Sequence, residues 1–506
     1  MGGRNAIASA YPSLADVEAI AAKGAYRRVP VRCELMADGF TPIESLRRVR
    51  AVSNHCFLLE SAEADARWGR YSFLGFAPSV EVTCANGDLA ITRGVEGPAP
   101  AVERSRTEHP GDALRALLAE YASPQLPGFP PFTGGLVGYF SYDYLKYAEP
   151  TLRRDGMERE DFLDCDLMLF DKVICFDSYR QKVELIASVD VSSGDIEGAY
   201  ASALAELGRM RDILEGGEKH DFAPLRLRGE LSPVYGRERY EDMVRTAQRH
   251  IYDGDIFQIV LSNPITAPAE GSLLDAYRML RCTNPSPYMA FLSSDDIEVA
   301  AASPETLARL SSGTLYTYPL AGTRPRGATP AEDMQNECSL LSDEKELAEH
   351  NMLVDLGRND IGRVASLGSV KVESYHDVLR FSHVMHIGST VSGKLAEGKD
   401  ALDVIDSILP AGTLSGAPKL RACQIISELE GSKRGIYGGA IGYIDFSGNL
   451  DTCIGIRLAY KKNGEVCVQS GAGIVADSVP SKEYDECQNK ARAVIEALKA
   501  AEGGLR

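Results

Sequence analysis

Short apolar runs separated by turns dominate the first part of the sequence. They recur between residues 28 and 190, for example at 56–59 and 173–176. They return between 255 and 320, for example at 256–261. Apolar runs of about four to eight residues bounded by turn residues are typical of β-strands. The pattern therefore predicts strands in both halves of the chain.

Helical patterns fill much of the rest. Residues 196–250 have a helical composition that is broken at 215–220 and at Pro224, which makes this region the best candidate for a linker. A further helix is predicted from Ser342, with a stop at Gly357. The last helix is predicted to be capped by Ser481, because an apolar stripe follows it at helical spacing.

One internal similarity connects the two halves. Residues 134–140 have the sequence Gly-Gly-Leu-Val-Gly-Tyr-Phe, and residues 438–444 have the sequence Gly-Gly-Ala-Ile-Gly-Tyr-Ile. Glycines in and around a strand permit close approach of another backbone. We therefore predict that both segments contribute similar strands to one sheet system.

Length and composition narrow the class of protein. A chain of 506 residues exceeds the roughly 250–300 residues at which a single core stops growing, so two cores are expected. With 44% hydrophobic and 25% charged residues and no apolar run near about 18 residues, a membrane or disordered protein is excluded. The net charge of −18 and the absence of basic runs argue against nucleic acid as a partner.

The cysteines and the N-terminus indicate a cytoplasmic location. The eleven cysteines include no C-x-x-C pair, so neither a zinc site nor a disulfide framework is predicted. Residues 1–9 show neither an apolar signal core nor the character of a transit peptide. A reducing compartment fits both observations.

Two carboxylate pairs carry the clearest chemistry. Glu346 and Glu349, like Glu483 and Glu486, are three residues apart near the start of a predicted helix, so each pair shares one helical face. Two carboxylates about 4 Å apart repel by roughly 4 kcal/mol at an effective dielectric near 20. All-oxygen ligands favour a hard cation, most plausibly Mg²⁺, with Lys490 one turn further on. The alternative is that each pair is a solvated helix face.

Five longer motifs stand in order along the second half of the chain. They are Ser-Pro-Glu-Thr at 303–306, Pro-Leu-Ala-Gly-Thr-Arg-Pro-Arg at 319–326, Ala-Glu-His-Asn-Met-Leu-Val-Asp-Leu-Gly-Arg-Asn-Asp at 348–360, Gly-Thr-Leu-Ser-Gly-Ala-Pro-Lys at 412–419 and Gln-Ser-Gly-Ala-Gly-Ile-Val-Ala-Asp at 469–477. In order and at the usual spacing, they resemble the motifs of the chorismate-utilising enzymes. Within that family the chain resembles the large subunits of anthranilate synthases, densely over 240–497 and loosely over 28–180.

The resemblance implies an α+β fold in which two domains surround a β-sandwich-like core with helices outside. We expect an N-terminal domain over 1–195 that carries a tryptophan-binding motif and a helical linker region over 196–236. A chorismate-binding catalytic domain is expected over 237–506.

Two positions indicate the branch of the family. Isochorismate and salicylate synthases resemble one another in placing a lysine base where this chain has Gln258, and aminodeoxychorismate synthases carry a lysine nucleophile where it has Ala321. The resemblance therefore implies attack of ammonia at C2 of chorismate, giving anthranilate and pyruvate in the first committed step of tryptophan biosynthesis. One alternative is an enzyme that stops at 2-amino-2-deoxyisochorismate. Another is a catalytically silent, tryptophan-sensing subunit.

The resemblance also implies residue roles at the catalytic site. Mg²⁺ would bridge Glu349 and Glu486 to the ring carboxylate, with Glu346 and Glu483 holding its waters. Glu305 would protonate the departing C4 hydroxyl, which requires a raised pKa. The remaining roles are loss of pyruvate for His386, choice of nucleophile for Gln258, and binding of the substrate by Thr323, Thr413, Tyr437, Arg457, Ala472, Gly473 and Lys490.

A second, regulatory site is implied by the same resemblance. Glu60 and Ser61 end a buried-looking strand and resemble the feedback motif of anthranilate synthases, which bind tryptophan as an inhibitor. A buried acid such as Glu60 needs a partner, and the tryptophan amino group would be one. The alternative is a plain strand end and a Pro-rich turn. The other predicted contacts are Pro287, Tyr288, Met289, Tyr443 and Cys453.

The source of ammonia is also informative. The sequence has no Gly-x-Cys-x-Gly elbow of a glutamine amidotransferase. We therefore expect ammonia to come from a separate glutaminase subunit in a hetero-oligomer, or from solution.

Overall fold

A computed structural model describes residues 10–61, 69–153, 157, 159, 161–380 and 384–505. Residues 1–9, on which the expectation about leader sequences rests, lie outside this set. Among the described residues, no helix combines the length and apolar character needed to cross a bilayer.

Twelve α-helices occur in the described residues. They are α1 (Leu14–Ala21), α2 (Pro42–Arg50), α3 (Pro110–Glu120), α4 (Leu145–Ala148), α5 (Ile196–Gly216), α6 (Arg237–Tyr252), α7 (Leu274–Thr283), α8 (Pro330–Leu341), α9 (Glu344–Gly362), α10 (Ala401–Ile408), α11 (Lys419–Glu430) and α12 (Pro480–Ala501). Short 3-10 turns occupy Ala37–Gly39, Tyr142–Tyr144, Pro150–Leu152 and Gly412–Leu414.

Twenty-five strands occur in the same residues. They are β1 (Arg28–Met36), β2 (Cys56–Glu60), β3 (Tyr71–Phe76), β4 (Val80–Ala85), β5 (Asp88–Arg93), β6 (Ala101–Arg106), β7 (Gly135–Phe140), β8 (Cys165–Phe170), β9 (Lys172–Asp177), β10 (Lys182–Asp190), β11 (Arg226–Leu227), β12 (Ser232–Pro233), β13 (Gln258–Glu270), β14 (Tyr288–Ser293), β15 (Ile297–Ser303), β16 (Thr306–Ser311), β17 (Thr314–Thr317), β18 (Leu320–Pro325), β19 (Lys371–Arg380), β20 (Val384–Lys394), β21 (Gly416–Ala417), β22 (Ala440–Asp445), β23 (Leu450–Ile454), β24 (Leu458–Lys462) and β25 (Glu465–Ile474).

The strands form two large antiparallel sheets. In the described part of the chain, the first sheet has thirteen strands in the order β1-β10-β9-β3-β2-β14-β15-β24-β25-β13-β11, and β12 and β21 also pair with β13. The second has twelve in the order β18-β20-β17-β16-β23-β22-β7-β8-β4-β5-β6, and β19 pairs with β20. The prediction of an α+β fold with a layered β core is confirmed.

The two glycine-rich segments that resemble each other are neighbouring strands. β7 pairs with β22, and Gly138 lies opposite Gly442. A Cβ atom on Gly138 would lie 2.0 Å from the carbonyl oxygen of Asp166, and one on Gly442 would lie 2.1 Å from that of Asp451. The prediction that both halves share one sheet system is confirmed, and the glycines serve close strand approach.

The core lies in layers on both sides of each sheet. Phe57 of β2 belongs to the same buried cluster as Val137 and Met168 of the second sheet, so this layer lies between the sheets. The next residue, Leu58, belongs to the cluster beneath α5, α7 and α12. This alternation follows from the two-residue period of a strand. Burying a side chain of this size contributes about 1.5–3 kcal/mol.

Two strand connections pass from one sheet to the other. β15 lies in the first sheet and β16 in the second, so Glu305 lies in the crossover between them. β23 lies in the second sheet and β24 in the first, so Arg457 lies in the returning crossover. The crossovers are adjacent, because the Ile454 amide donates to the Glu305 carbonyl at 2.9 Å and the Ala302 amide donates to the Arg457 carbonyl at 3.1 Å.

Two predicted helix boundaries are wrong. α9 continues through Gly357 to Gly362, and a Cβ on Gly357 would lie 3.0 Å from the Thr317 methyl, so this glycine permits close packing of helix on strand. Val479, not Ser481, is the N-cap residue of α12, and Pro480 occupies its first turn. The predicted helix after residue 196 is confirmed as α5.

The predicted domains share their sheets. Each sheet takes strands from before residue 195 and from after residue 237. The boundaries at 195 and 236 therefore remain a prediction about folding units.

Candidate active site

Glu305 is held in the crossover between the sheets. The hydroxyl of Thr413 donates a hydrogen bond of 3.1 Å to its carboxylate. Burial raises the pKa of Glu305 to about 7, although Thr413 and the charges of Arg457 and Lys490 act in the opposite direction. A carboxyl group that is partly protonated near neutral pH can act as a general acid. The raised pKa that the general-acid role of Glu305 requires is therefore present.

Arg457 faces Glu305 from the neighbouring crossover. Among the described residues its guanidinium forms no hydrogen bond or ion pair, although the charge of Glu305 acts on it. Its φ of +49° lies in the left-handed region, which is uncommon for a residue with a side chain. Backbone strain of this kind clusters at functional sites. The side chain is therefore suited to receive an anion.

His386 is oriented by a turn of β18. Its Nδ1 lies 2.9 Å from the Gly322 carbonyl and 3.1 Å from the Thr323 hydroxyl. The carbonyl can only accept, so Nδ1 carries the proton and Nε2 carries the lone pair of the neutral ring. Burial lowers the pKa of His386, with a further contribution from Arg457. The ring is thus suited to accept a proton.

Gly322 connects His386 with the first carboxylate pair. Its φ is +68°, and a Cβ there would lie 2.9 Å from Leu340 and 3.3 Å from the carboxylate of Glu346. Both the backbone conformation and the close contact require glycine. The same turn therefore positions the imidazole and leaves room for Glu346.

The two carboxylate pairs face each other from α9 and α12. Burial raises the pKa of Glu349, as do the charges of Glu346 and Glu486. Burial and Glu486 likewise raise the pKa of Glu483. Glu486 therefore acts electrostatically on one member of each pair, and a shared cation site remains a prediction. Within the described ranges, however, no three His, Cys, Asp or Glu side chains are close enough together to hold a metal ion.

Basic side chains compensate the carboxylates in this structure. Lys490 forms an ion pair of 2.8 Å with Glu486, in which both side chains are about half exposed. Arg324 donates to Asp343 at 2.8 Å and lies 3.5 Å from Glu346. Exposed pairs of this kind contribute about 0–1 kcal/mol, so they exchange readily for another partner. Lys490, predicted to bind substrate, is thus bound to a predicted metal ligand.

Strands β13 and β25 form another wall of the site. Gln258 begins β13 opposite Ala417, Val260 lies opposite Gly473, and Leu261 lies opposite Ala472. Ala472 packs into an apolar cluster, so it can offer only its backbone to a ligand. Gly473 is exposed, with no atom within 4 Å of the position that a Cβ would occupy.

Tyr437 packs closely against β25. Its side chain is buried, and a Cβ added to Gly471 would lie 2.7 Å from the Tyr437 hydroxyl. The glycine at 471 therefore makes space for the phenol. Burial raises the pKa of Tyr437, so the group stays protonated and can donate a hydrogen bond.

The chain itself supplies partners for Glu60, which the sequence interpretation assigned to bound tryptophan. Tyr277 donates to its carboxylate at 2.6 Å, and Arg281 donates at 3.0 Å; both lie on α7. Burial raises the pKa of Glu60, and these two partners act against the rise. Glu60 therefore has the partners that its burial requires within the chain, and a contact with tryptophan remains a prediction. Ser61, the next residue, is half-buried.

The remaining residues predicted to bind tryptophan are divided between the two sheets. Met289 on β14 is opposite Glu60 and packs into the cluster beneath α7, and Pro287 directly precedes this strand. Tyr288 packs instead against the layer between the sheets, to which Tyr443 of β22 and Cys453 of β23 contribute from the second sheet. A tryptophan site formed by the whole set therefore remains a prediction.

Tyr288 links the sheets close to Glu305. Its hydroxyl donates to Asp451 at 2.8 Å and lies 3.0 Å from the Thr306 hydroxyl. Thr306 directly follows Glu305 along the chain. The predicted regulatory region and the catalytic crossover are therefore connected by a short hydrogen-bonded path.

The sequence interpretation missed several residues at these sites. Arg324 lies within a motif that was recognised, so its position carried a signal that was not used. Asp343 accepts from Arg324 and also caps α9 by accepting from the amides of Lys345 and Glu346. Nothing in the sequence indicated Tyr277 and Arg281, because they reach Glu60 across more than 200 residues.

The fold and this constellation of acid, histidine and paired carboxylates define a class, which comparison with known proteins confirms. The chain belongs to the family of chorismate binding enzymes, whose model matches residues 54–496.

Within that family, named relatives are similar over nearly the whole chain. Anthranilate synthase component 1 of Acetivibrio thermocellus is 44% identical over 501 residues, which cover 97% of this chain and 99% of the relative. That of Pseudomonas aeruginosa is 42% identical over 506 residues, covering 96% and 98%. The crystal structure of anthranilate synthase component I from Streptococcus pneumoniae TIGR4 matches with a TM-score of 0.72 at 36% identity, covering 85% of this chain and 93% of that one.

Proposed function

We propose that the protein is the chorismate-converting component of an anthranilate synthase. The reaction joins chorismate and ammonia and releases anthranilate, pyruvate and water. The observation that carries the proposal is the buried carboxyl group of Glu305, which accepts from the Thr413 hydroxyl and has a pKa raised to about 7. It faces Arg457, whose guanidinium forms no hydrogen bond or ion pair within the described part of the chain. This pair can bind an anionic substrate and deliver a proton to it.

Glu305 acts in the first half of the reaction. As ammonia forms a bond to C2 of the ring, the double bonds shift and the C4–O bond breaks. Protonated Glu305 gives its proton to this oxygen, which leaves as water. Arg457 holds a substrate carboxylate, for which a planar guanidinium is well suited. Gln258 has no ionisable group, so it does not activate water as a competing nucleophile.

His386 acts in the second half. The aminated ring loses the proton at C2 and its enolpyruvyl group, which departs as pyruvate, and the ring becomes aromatic. Nε2 of neutral His386 accepts a proton in this step, while Nδ1 stays bonded to the Gly322 carbonyl. The lowered pKa of His386 favours the neutral form that this task needs.

Mg²⁺ fits the chemistry of the acidic pairs. The charges of Glu346 and Glu486 help to raise the pKa of Glu349, and Glu486 helps to raise that of Glu483. A divalent cation would offset this repulsion, and oxygen ligands suit Mg²⁺. Glu349 and Glu486 would hold the ion, with Glu346 and Glu483 beside them. When bound, it supplies positive charge that offsets a carboxylate of the substrate. Lys490 would then be released from Glu486 and could contact substrate.

We further propose a separate glutaminase component as the source of ammonia, and tryptophan as the feedback inhibitor. The first follows from the lack of an amidotransferase motif in a chain that matches relatives named component 1. The second is supported by the connection from Tyr288 to the residue after Glu305. A cytoplasmic location remains a prediction.

The decisive experiment supplies chorismate, Mg²⁺ and an ammonium salt to the purified chain. Anthranilate is followed by its fluorescence, and pyruvate by coupled oxidation of NADH. Equal amounts of both products are expected. Accumulation of the aminated ring without pyruvate would instead indicate an enzyme that stops at 2-amino-2-deoxyisochorismate, and unchanged chorismate would indicate a silent sensing subunit.

A further inference from the structure

Arg434 is buried behind the active site and is not among the residues considered above. Its exposed fraction is 1%, and all three nitrogens of its guanidinium donate hydrogen bonds. Nε and Nη2 donate to Glu430 at 2.8 and 2.6 Å. Nη1 donates to the Leu414 carbonyl at 2.7 Å, and Nη2 donates to the Val260 carbonyl at 2.8 Å. One side chain thus joins the turn before α11 to strand β13.

Each of these carbonyls belongs to a segment that carries a residue of the site. Leu414 follows Thr413, whose hydroxyl donates to Glu305. Val260 is paired with Gly473 on β25. The guanidinium therefore bridges the turn that orients the general acid and strand β13, beside the main-chain bond from the Val260 amide to the Ser415 carbonyl at 2.8 Å.

The ion pair is itself fixed from both sides. Glu430 accepts hydrogen bonds from the amide and the hydroxyl of Ser262 at 2.8 and 3.0 Å. The guanidinium carbon lies 4.6 Å from the ring centre of Tyr142 and 5.7 Å from that of Tyr437. Apolar residues of similar volume often stabilise a core as well as a buried ion pair does. The pair is therefore better explained by the geometry that it imposes on its neighbours than by its contribution to stability.

We propose that Arg434 is a positioning residue for the reaction: it fixes the turn Gly412–Leu414 against β13 and so aims the Thr413 hydroxyl at Glu305. The proposal rests on the proposed function for its consequence in turnover, but not for its structural content. Lysine cannot replace the arginine, because a single ammonium group lacks the planar fork that reaches a carboxylate and two carbonyls together.

The first test measures the Glu305 carboxyl directly. Protein labelled with ¹³Cδ-glutamate is titrated by NMR, and the Glu305 signal is identified by its loss in Glu305→Gln. Thr413→Val should raise the pKa of Glu305, because a hydrogen bond to the charged form is lost. Arg434→Lys should raise it by a similar amount. The double variant should show no further rise, since both changes break one path.

The other groups that face Glu305 stay in place in these variants. They are Arg457 and Lys490, whose charges act on its carboxyl group. A Glu305 pKa that rises in Thr413→Val but is unchanged in Arg434→Lys would overturn the proposal. Additive shifts in the double variant would also overturn it.

The second test is turnover with chorismate and ammonium. Misplacing a catalytic group by about 1 Å can cost on the order of 10²-fold in rate. Arg434→Lys should therefore lower kcat by up to about 10²-fold, with a much smaller change in KM. An equal loss in kcat and in apparent affinity would contradict a role through Thr413. If the parent makes no anthranilate, the proposed function fails, and the NMR titration still decides the role of Arg434.

A matched control separates positioning from stability. Arg32 is also paired with a buried acid, Glu184 at 2.6 Å, and donates to the Gly128 carbonyl, but it lies on β1 away from the site. Arg32→Lys should leave kcat and the Glu305 pKa unchanged. If Arg434→Lys does not fold, Glu430→Gln weakens the anchor while keeping the guanidinium. It should raise the Glu305 pKa, and an unchanged value would refute the proposal.

Discussion

The crossover that holds Glu305 and the helix faces that hold the two carboxylate pairs differ in how their charges are compensated. At the crossover, Glu305 already has its hydrogen-bond donor, and the Arg457 guanidinium has no hydrogen bond or ion pair among the residues that the structure describes, so it can bind a substrate. On α9 and α12, the charges of Glu346 and Glu486 help to raise the pKa of Glu349, and Arg324 and Lys490 compensate Glu346 and Glu486.

This difference shows which part of the site is held by main-chain hydrogen bonds and which part depends on side-chain contacts. Residues in a strand crossover are fixed by main-chain hydrogen bonds on both sides. Residues on two separate helices depend on long side chains, whose half-exposed ion pairs are weak. We therefore expect proton transfer to fail when a single side chain changes, and the cation site to respond gradually to ion concentration.

The largest effect is expected from Glu305→Gln, which removes the proton donor. The loss of a general acid should lower kcat by about 10²- to 10⁴-fold. In the parent, kcat should fall as the pH rises through about 7, because only protonated Glu305 donates, and this limb should vanish in the variant. Steady-state rates measured across pH report both the loss of kcat and the disappearance of this limb.

A matched control for this change is available on the same strand system. Glu298 on β15 is also buried with a raised pKa, but it accepts from Ser272 and the Leu273 amide. Glu298→Gln should retain turnover within a few-fold. A similar collapse in both variants would mean that Glu305 acts through the fold.

His386→Met should affect the second half of the reaction. Without a neutral imidazole to accept a proton, pyruvate release should slow by about 10²-fold or more, and the aminated ring should accumulate. Chromatography of quenched reactions detects it. His109→Gln serves as control, because His109 pairs with Asp406 outside the site. Unreacted chorismate alone would place His386 earlier in the reaction or in a structural role.

Glu486→Gln tests the half of the site that depends on a cation. Outer partners of metal ligands are worth about 10- to 100-fold in affinity, so loss of a direct ligand should raise the Mg²⁺ requirement at least that much. Titration calorimetry and rate against Mg²⁺ concentration report it. Glu496, an exposed acid on the same helix, provides the control variant Glu496→Gln. Unchanged Mg²⁺ affinity in Glu486→Gln would remove this residue from the ligand set.

Local structure in both parts of the molecule could be predicted from the sequence, because it depends on residues that lie close together in the chain. The three-residue step in each carboxylate pair and the apolar run at 56–59 fix a helical face and a strand without knowledge of the fold. The Gly-Tyr segments predicted shared sheets, since their glycines permit close strand approach.

What could not be predicted arises from contacts between distant segments. The sheet crossovers that place Glu305 beside Arg457 depend on the order of strands in two sheets. The stop predicted at Gly357 failed because α9 packs against Thr317, and packing overrides a local signal. The partners of Glu60 lie on α7, far along the chain.

The smallest effect on turnover is expected from Ser61→Phe. This variant also gives the clearest comparison between the predicted tryptophan site and the catalytic site. Ser61 follows Glu60 at the end of β2 and is not among the residues proposed to carry chemistry, so kcat should change by less than about threefold. Inhibition by tryptophan should be lost, because a bulky ring fills the proposed pocket. Ser61→Ala, which adds no volume, should keep most of the sensitivity.

The energetics of this inhibition give a second check. Coupling between two sites typically amounts to about 1–3 kcal/mol, and it is reciprocal for binding. In the parent, tryptophan should therefore weaken chorismate binding by the same factor by which chorismate weakens tryptophan binding, as calorimetry can measure. The hydrogen bond between Tyr288 and Thr306, the residue after Glu305, gives this coupling a physical route. If tryptophan inhibits Ser61→Phe as strongly as it inhibits the parent, tryptophan binds at another site, and the crossover that holds Glu305 is regulated from there.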